Sequence, residues 1–248
     1  MNGFPLISCL CVTHKKPDML KRVIRCFNDQ SYPCKQLVIV YEEADGPTHQ
    51  FIERLTFGSD TKVVKVDAAT KLTLGELRNI SVREANGSYV CQWDDDDWYD
   101  ADRLTEQMNH IRLHGKSGCI LSRWVVFDMM TQKAYLPKRY TWEGSILCKR
   151  EVMLQNPYPP LSKGEDTSVI QFLFKRGELS IIDDMPQLYV YIYHGGNTWD
   201  YAHFLKILDT SQELSAELSE EIMALLSDNT KCYVNNKNNV SPVIPRPQ

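Results

Sequence analysis

Along the chain, the apolar positions arrive first as an almost unbroken run. Leu6-Ile7-Ser8-Cys9-Leu10-Cys11-Val12 has the character of a strand covered on both faces in a parallel sheet. Pro17 suits a first helical position, and Leu20, Val23, Ile24 and Phe27 then recur at helical spacing until Ser31-Tyr32-Pro33 stops the pattern. A second buried strand, Gln36 to Tyr41, ends in Glu42-Glu43. Strand, helix and strand in this order predict an α/β protein that begins with a right-handed crossover.

The alternation continues with a helix predicted near Pro47–Leu55, a strand at Lys62–Val66 and a helix opening at Thr73. Thr73-Leu74-Gly75-Glu76 has the form of a capping box, Leu77 and Ile80 supply its apolar side, and Asn86-Gly87 should end it. The next strand, Tyr89 to Trp93, runs into four consecutive aspartates. After Gly115 the pattern becomes less regular. Short strands are expected at Cys119–Ser122, Trp124–Asp128 and Lys133–Leu136, with a helix from Glu165 to Arg176 that Gly177 stops. Strands near Leu179–Ile182 and Leu188–Tyr193 precede amphipathic helices at Asp200–Leu208 and Glu213–Leu226. No repeat or linker separates independent domains. The expected organisation is one domain over residues 1–200, C-terminal helices over 200–234, and a flexible tail over 235–248, where Asn and Pro dominate.

With 248 residues and 43% hydrophobic content the chain can bury a sizeable core. A net charge of −4 provides no overall positive field, so nucleic acid is not expected as a partner and any anion must be captured locally. Eight cysteines show no C-x-x-C pair and no zinc spacing, which reads as buried free thiols in a reducing compartment. The first apolar stretch lacks a basic leader and contains Pro5, and no run approaches the ~20 residues a spanning helix needs. A cytoplasmic protein without a transmembrane segment is therefore expected. Peripheral membrane contact through the last helices stays open, although Glu213, Glu217, Glu220 and Glu221 disfavour an anionic lipid surface.

Asp94-Asp95-Asp96-Asp97 is the most informative feature. Two carboxylates ~5 Å apart at an effective dielectric of 20 repel by roughly 3 kcal/mol, so four together call for a compensating cation or water. If the strand geometry continued, Asp94 and Asp96 would face one way and Asp95 and Asp97 the other. A magnesium-type ion needs only one or two such carboxylates when phosphate oxygens and water complete its shell. The competing reading is a solvated acidic turn that starts the helix near Asp100, where Leu104, Met108 and Ile111 form the apolar face.

The flanks of the cluster favour the first reading. From Leu77-Arg78-Asn79 through Asn86-Gly87-Ser88-Tyr89 to Gln92-Trp93-Asp94-Asp95-Asp96-Asp97, the sequence resembles the signature of family 2 glycosyltransferases, enzymes of the GT-A fold. The likeness continues in order from residue 6 to 200. Thr13-His14 follows the first strand as in the family's opening, and Glu42-Glu43 stands where the family usually has paired aspartates. Gly164-Glu165-Asp166-Thr167 is similar to the Glu-Asp motif that opens a helix, and Tyr193-His194-Gly195-Gly196-Asn197-Thr198 to the late histidine loop. The resemblance implies a Rossmann-like, mostly parallel central sheet flanked by helices, with a helical C-terminal tail. It also implies a nucleotide-sugar-binding half (1–115) and an acceptor or catalytic half (116–200).

The implied activity is transfer of a sugar from a UDP- or GDP-linked donor to the hydroxyl of a glycan or glycolipid acceptor, with inversion, in surface polysaccharide or glycolipid synthesis. Asp166 is the expected general base, with Glu165 beside it. Thr13, Glu42, Glu43, Arg78, Asp94 and Asp95 form the expected nucleotide-sugar site. Asp96, Asp94, Asp97 and His194 are the expected ligands of Mn2+ or Mg2+. A helix N-terminal acid stabilising the macrodipole competes for Asp166, a surface ion pair for Arg78 and a structural role for His194. Trp93, Trp98, Trp142 and Trp199 suit either core packing or sugar stacking. Two other functions remain at this point: a nucleotidyl- or phosphotransferase using the same metal site, which the absence of a G-x-x-x-x-G-K-[ST] loop disfavours, and a non-catalytic nucleotide-sugar-binding module.

Overall fold

The computed structural model describes residues 3–67 and 71–227. The first half alternates strictly: β1 (Ile7–Val12), α1 (Pro17–Asn28), β2 (Lys35–Glu42), α2 (Gly46–Glu53), β3 (Thr61–Val66), α3 (Leu74–Glu84) and β4 (Tyr89–Gln92). The middle comprises β5 (Trp98–Tyr99), α4 (Arg103–His114), β6 (Gly118–Leu121), β7 (Val125–Asp128), β8 (Lys133–Leu136), β9 (Leu147–Lys149) and α5 (Arg150–Gln155). The remainder is α6 (Thr167–Lys175), β10 (Leu179–Ile182), β11 (Tyr189–Tyr193), α7 (Tyr201–Leu208), β12 (Gln212–Glu213) and α8 (Ala216–Ser227).

Seven strands form the central sheet in the order β10-β6-β9-β4-β1-β2-β3. All its pairings are parallel except those of β9, which runs antiparallel to both β4 and β6. The apolar runs are explained by burial on both faces. Ile7, Cys9 and Cys11 with Leu37, Ile39 and Tyr41 enter one core, while Leu10 with Val38 and Val40 enters the other. Each fully buried Leu or Ile contributes roughly 1.5–3 kcal/mol of transfer free energy. The larger core also takes in Phe204, Leu208, Ile222 and Leu226 of α7 and α8, so the C-terminal helices pack on the same body.

β1 has β2 on one side and β4 on the other. The chain first builds outward through β2 and β3, then returns to the opposite side at β4, which makes the rim beyond β1 and β4 a switch point where α/β sheets bind ligands. A second sheet, β12-β8-β7-β11-β5, starts where β4 ends. The four aspartates lie in the first of the chain's passages between the two sheets.

Thr73 does form the predicted capping box, its hydroxyl accepting from Glu76 N–H while the Glu76 carboxylate accepts from Thr73 N–H. Two expectations change. The fourth strand stops at Gln92, one residue before Trp93, and Asp95-Asp96 form a turn, so the aspartates do not alternate as in an extended strand. β9 and α5 fill a stretch for which no element was predicted. The expected tail over 235–248 lies outside the described residues, as does Cys232; the other seven cysteines are free thiols.

Candidate active site

The acidic turn distributes its four carboxylates among different partners. Asp94 accepts from Arg78 Nη2 at 2.8 Å and lies 3.3 Å from Gln92 Nε2. Asp96 Oδ2 receives Lys16 Nζ at 2.6 Å and His194 Nε2 at 3.0 Å, and the same ammonium lies 3.5 Å from Asp95 Oδ1. Burial alone would raise Asp96, but the histidine and the lysine outweigh it and hold the carboxyl well below the usual range. Asp95, more desolvated and facing Asp96, is pushed up to about 6 despite Lys16. Asp97 is fully buried and differs from its neighbours. Its oxygens accept from Tyr189 O–H at 2.5 Å and Ile192 N–H at 2.9 Å, which fastens the turn to β11. Asp97, expected among the metal ligands, thus has both oxygens engaged within the protein.

Lys16 reaches this turn because the backbone before α1 is held in place. Lys15 sits in the left-handed region at φ 56°, and its N–H donates to the buried Asp45 at 2.6 Å. Asp45 also caps α2 through Thr48 N–H at 3.1 Å. Arg22, one turn into α1, donates to the backbone carbonyls of Asp96 and Asp97. Burial would lower the lysine, yet Asp96 and Asp95 raise it above its ordinary value, so it stays an ammonium.

On the other wall stands the Glu165-Asp166 pair, 70 residues farther along the chain. Asn79 brings it there by closing two hydrogen bonds with the Tyr158 backbone, at 2.8 and 2.9 Å. A Cβ on Gly75 would lie 2.0 Å from the Pro159 carbonyl, so only glycine permits that approach of α3. Arg78, buried, then spans the gap: Nε donates to Glu165 at 2.7 Å while Nη2 holds Asp94. The surface-pair reading of Arg78 is replaced by a buried bridge between the two walls. Asp166 occupies the N-cap position of α6 without accepting a capping hydrogen bond, so no such bond occupies its side chain, while its charge still lies at the helix N-terminus. Burial pushes it up to about 6, with Arg78 opposing and Glu165 and Asp94 reinforcing.

Asp94, Asp95, Asp96, Glu165 and Asp166 line one cleft of about 750 Å³, together with Thr13, Glu42 and Arg78. Glu43 is not brought to it; it is exposed and paired with Lys65 at 2.6 Å, so of the two glutamates only Glu42 faces the cleft. The Thr13 hydroxyl lies beside Asp95 but has no partner in hydrogen-bond geometry, although the residue is 2% exposed. His194 accepts Gly196 N–H at Nδ1, 3.2 Å away, which leaves the proton on Nε2 to donate to Asp96. Trp93 and Trp98 belong to the core, while Trp142 and the half-exposed Trp199 line the cleft.

The sequence reading missed several groups. Lys16 is a basic residue just before a helix-opening proline, a signal that was available beside Thr13-His14. Glu143 lines the cleft and is pushed up to about 7 by burial, with Asp166 adding to the effect. Nothing in the sequence around Trp142-Glu143-Gly144 marks it. Arg103, fully buried, supports the turn from below by donating to the Gln92 carbonyl and lying over the rings of Trp93, Tyr99 and Tyr189.

Among the described residues no group of three or more His, Cys, Asp or Glu is arranged to hold a metal ion by itself. Asp95 and Asp96 nevertheless converge on one cationic centre, the Lys16 ammonium. Two carboxylates of that kind fit an ion whose remaining ligands are phosphate oxygens and water.

The model of the family described as glycosyl transferase family 2 matches residues 8–171, which takes in both walls up to the first turns of α6. The chain belongs to glycosyltransferase family 2. No curated protein sequence matches it as a relative. Solved glycosyltransferases share its GT-A fold. S. aureus TarS 1-349 superposes with a TM-score of 0.60 at 15% identity, covering 90% of this chain and 71% of that one. The same fragment in complex with UDP-GlcNAc gives 0.62 at 16%, covering 90% and 66%. The mannosyltransferase PcManGT from Pyrobaculum calidifontis, in complex with GDP-Man and Mn2+, gives 0.62 at 13%, covering 92% and 72%. At such identities the likeness establishes the architecture and leaves chemistry to the site.

Proposed function

We propose that this family 2 glycosyltransferase is an inverting enzyme that moves a sugar from a UDP- or GDP-linked donor to a hydroxyl of a glycan or glycolipid, in surface polysaccharide or glycolipid synthesis. The observation that carries the reading is the cleft itself: a carboxyl with no capping or ion-pair duty, Asp166, shares it with a cation-binding acidic turn. Residues 1–115 would supply the donor half and 116–200 the acceptor half, with Thr13 and Glu42 beside the nucleotide. Two of those neighbours are in complex with UDP-GlcNAc and with GDP-Man, which supports a nucleotide-sugar donor. Seven free thiols support a cytoplasmic setting.

In the reaction the acceptor oxygen attacks the anomeric carbon on the face opposite the diphosphate. Asp166 takes the hydroxyl proton as the new glycosidic bond forms and the bond to the diphosphate breaks, releasing nucleoside diphosphate. A group at about 6 is ionised at neutral pH yet close enough to it to accept a proton readily. Arg78 and Glu165 hold Asp94 and the Asp166 segment at fixed separation, a positioning role. Mn2+ or Mg2+ held at Asp95 and Asp96 would supply charge stabilisation for the leaving diphosphate. No helix among the described residues is long and apolar enough to cross a membrane.

Incubation with a panel of UDP- and GDP-sugars and oligosaccharide acceptors, read by NMR, tests this reading. Free nucleoside diphosphate and a product of inverted anomeric configuration are expected. Release of pyrophosphate or of a phosphorylated product would assign a nucleotidyl- or phosphotransferase instead, and binding without turnover a non-catalytic module.

A further inference from the structure

The ammonium of Lys16 occupies the position where Asp95 Oδ1 and Asp96 Oδ2 converge. Its Nζ lies 2.6 Å from Asp96 and 3.5 Å from Asp95, and its side chain is only 22% exposed. The backbone that delivers it is fixed, by the left-handed Lys15 tied to Asp45 on one side and by Pro17 opening α1 on the other. The four-carbon stem beyond that backbone is the part that can swing. Asp96 Oδ2 accepts from Lys16 and His194 together, so departure of the ammonium is what frees lone-pair capacity there.

We infer that the Lys16 ammonium is a resident counter-ion that a divalent cation must displace from Asp95 and Asp96, and that a nucleoside diphosphate assists the exchange by accepting the ammonium. This rests on the donor reading of the cleft. A divalent ion arriving alone meets a like charge already paired with both carboxylates. Diphosphate oxygens entering beside Asp95, where the buried Thr13 hydroxyl has no hydrogen-bond partner, offer the ammonium a second set of acceptors. Metal and diphosphate then bind with positive coupling, each raising the affinity of the other by the same factor.

Mn2+ titrations of wild type, Lys16→Met and Lys16→Arg, followed by electron paramagnetic resonance with and without UDP or GDP, test the exchange. A melting curve of each variant checks that it is folded. Lys16→Met should bind Mn2+ alone about ten-fold tighter than wild type, and the diphosphate should add little further affinity. Lys16→Arg, which keeps the charge, should retain weak binding alone and enhancement by diphosphate. Equal Mn2+ affinity of wild type and Lys16→Met, including no binding by either, overturns the inference. The arm with Mn2+ alone contains no nucleotide and is decided independently of transfer. Failure of UDP and GDP to bind any variant would instead sink the donor reading.

Discussion

Within the cleft, the paired Asp94 and Asp96 of the acidic turn contrast with Asp166 and Glu143, which have no ion-pair partner among the described residues, while Asp95 stands between the two cases, touched by Lys16 yet pushed up to about 6. On the acidic turn, Asp94 and Asp96 are both paired, with Arg78 in one case and with Lys16 and His194 in the other, and Asp96 is held ionised far below its ordinary value. On the facing wall, Asp166 and Glu143 have no ion-pair partner among the described residues, and burial pushes them up to about 6 and about 7. Under the proposed function, the charge that would meet a cation and a diphosphate is pinned by partners. The carboxyl that would change protonation in each turnover, Asp166, is left without an ion-pair partner among the described residues and titrates near neutrality. Arg78 belongs to both walls, and only its Glu165 contact lies on the second.

Among changes read by binding or stability, removing the pinned charge should have the largest effect. Asp96→Asn discharges the shared acceptor of Lys16 and His194, and affinity for a nucleoside diphosphate with Mn2+ should fall by roughly two orders of magnitude in calorimetric titration. A loss under three-fold would mean that the paired wall is not where charge is met.

Next comes the bridge. Arg78→Met leaves Asp94 and the buried Glu165 without their cation, and denaturant unfolding should show a loss of about 3 kcal/mol. In the double variant with Glu165→Gln part of that loss should return. Simple additivity of the two changes would show that the walls are not coupled through this residue.

The smallest effect concerns the unpinned wall. If Asp166 is the base it must be ionised to act, so kcat/KM should fall about ten-fold per pH unit below about 6, and Glu143→Gln should leave that limb in place, because a carboxyl pushed up to about 7 is already mostly neutral there. Stability runs the other way. The folded-state value of Asp166 is raised, so its contribution is fully present below pH 4 and lost as pH rises through about 6. A limb that moves with Glu143→Gln would show that the two carboxyls titrate as a coupled pair.

Much of this molecule could be read before its coordinates. The doubly buried strands β1 and β2 announce themselves as apolar runs, and Thr73 with Glu76 marks the start of α3 to the residue. Those features are local: period, capping chemistry and a stop signal within a few positions. β9 escaped because three residues, Leu147 to Lys149, carry no period, and its place between β4 and β6 is decided by partners far away in sequence. The acidic turn shows both limits. Its existence is visible in four consecutive letters. Its division of labour depends on Lys16 about 80 residues before it and on Tyr189, Ile192 and His194 almost 100 residues after it, and no spacing rule links them. For the same reason Glu43 was grouped with Glu42, although one residue's difference turns it outward to Lys65.

The most direct measurement uses Asp166→Asn. Asparagine keeps the shape and cannot take the acceptor proton, so the variant should bind donor diphosphate with wild-type affinity while transfer falls by roughly three orders of magnitude. Transfer at a rate close to wild type by the folded variant would contradict the assignment of Asp166 as the base, and with it the contrast between a pinned and an unpinned wall.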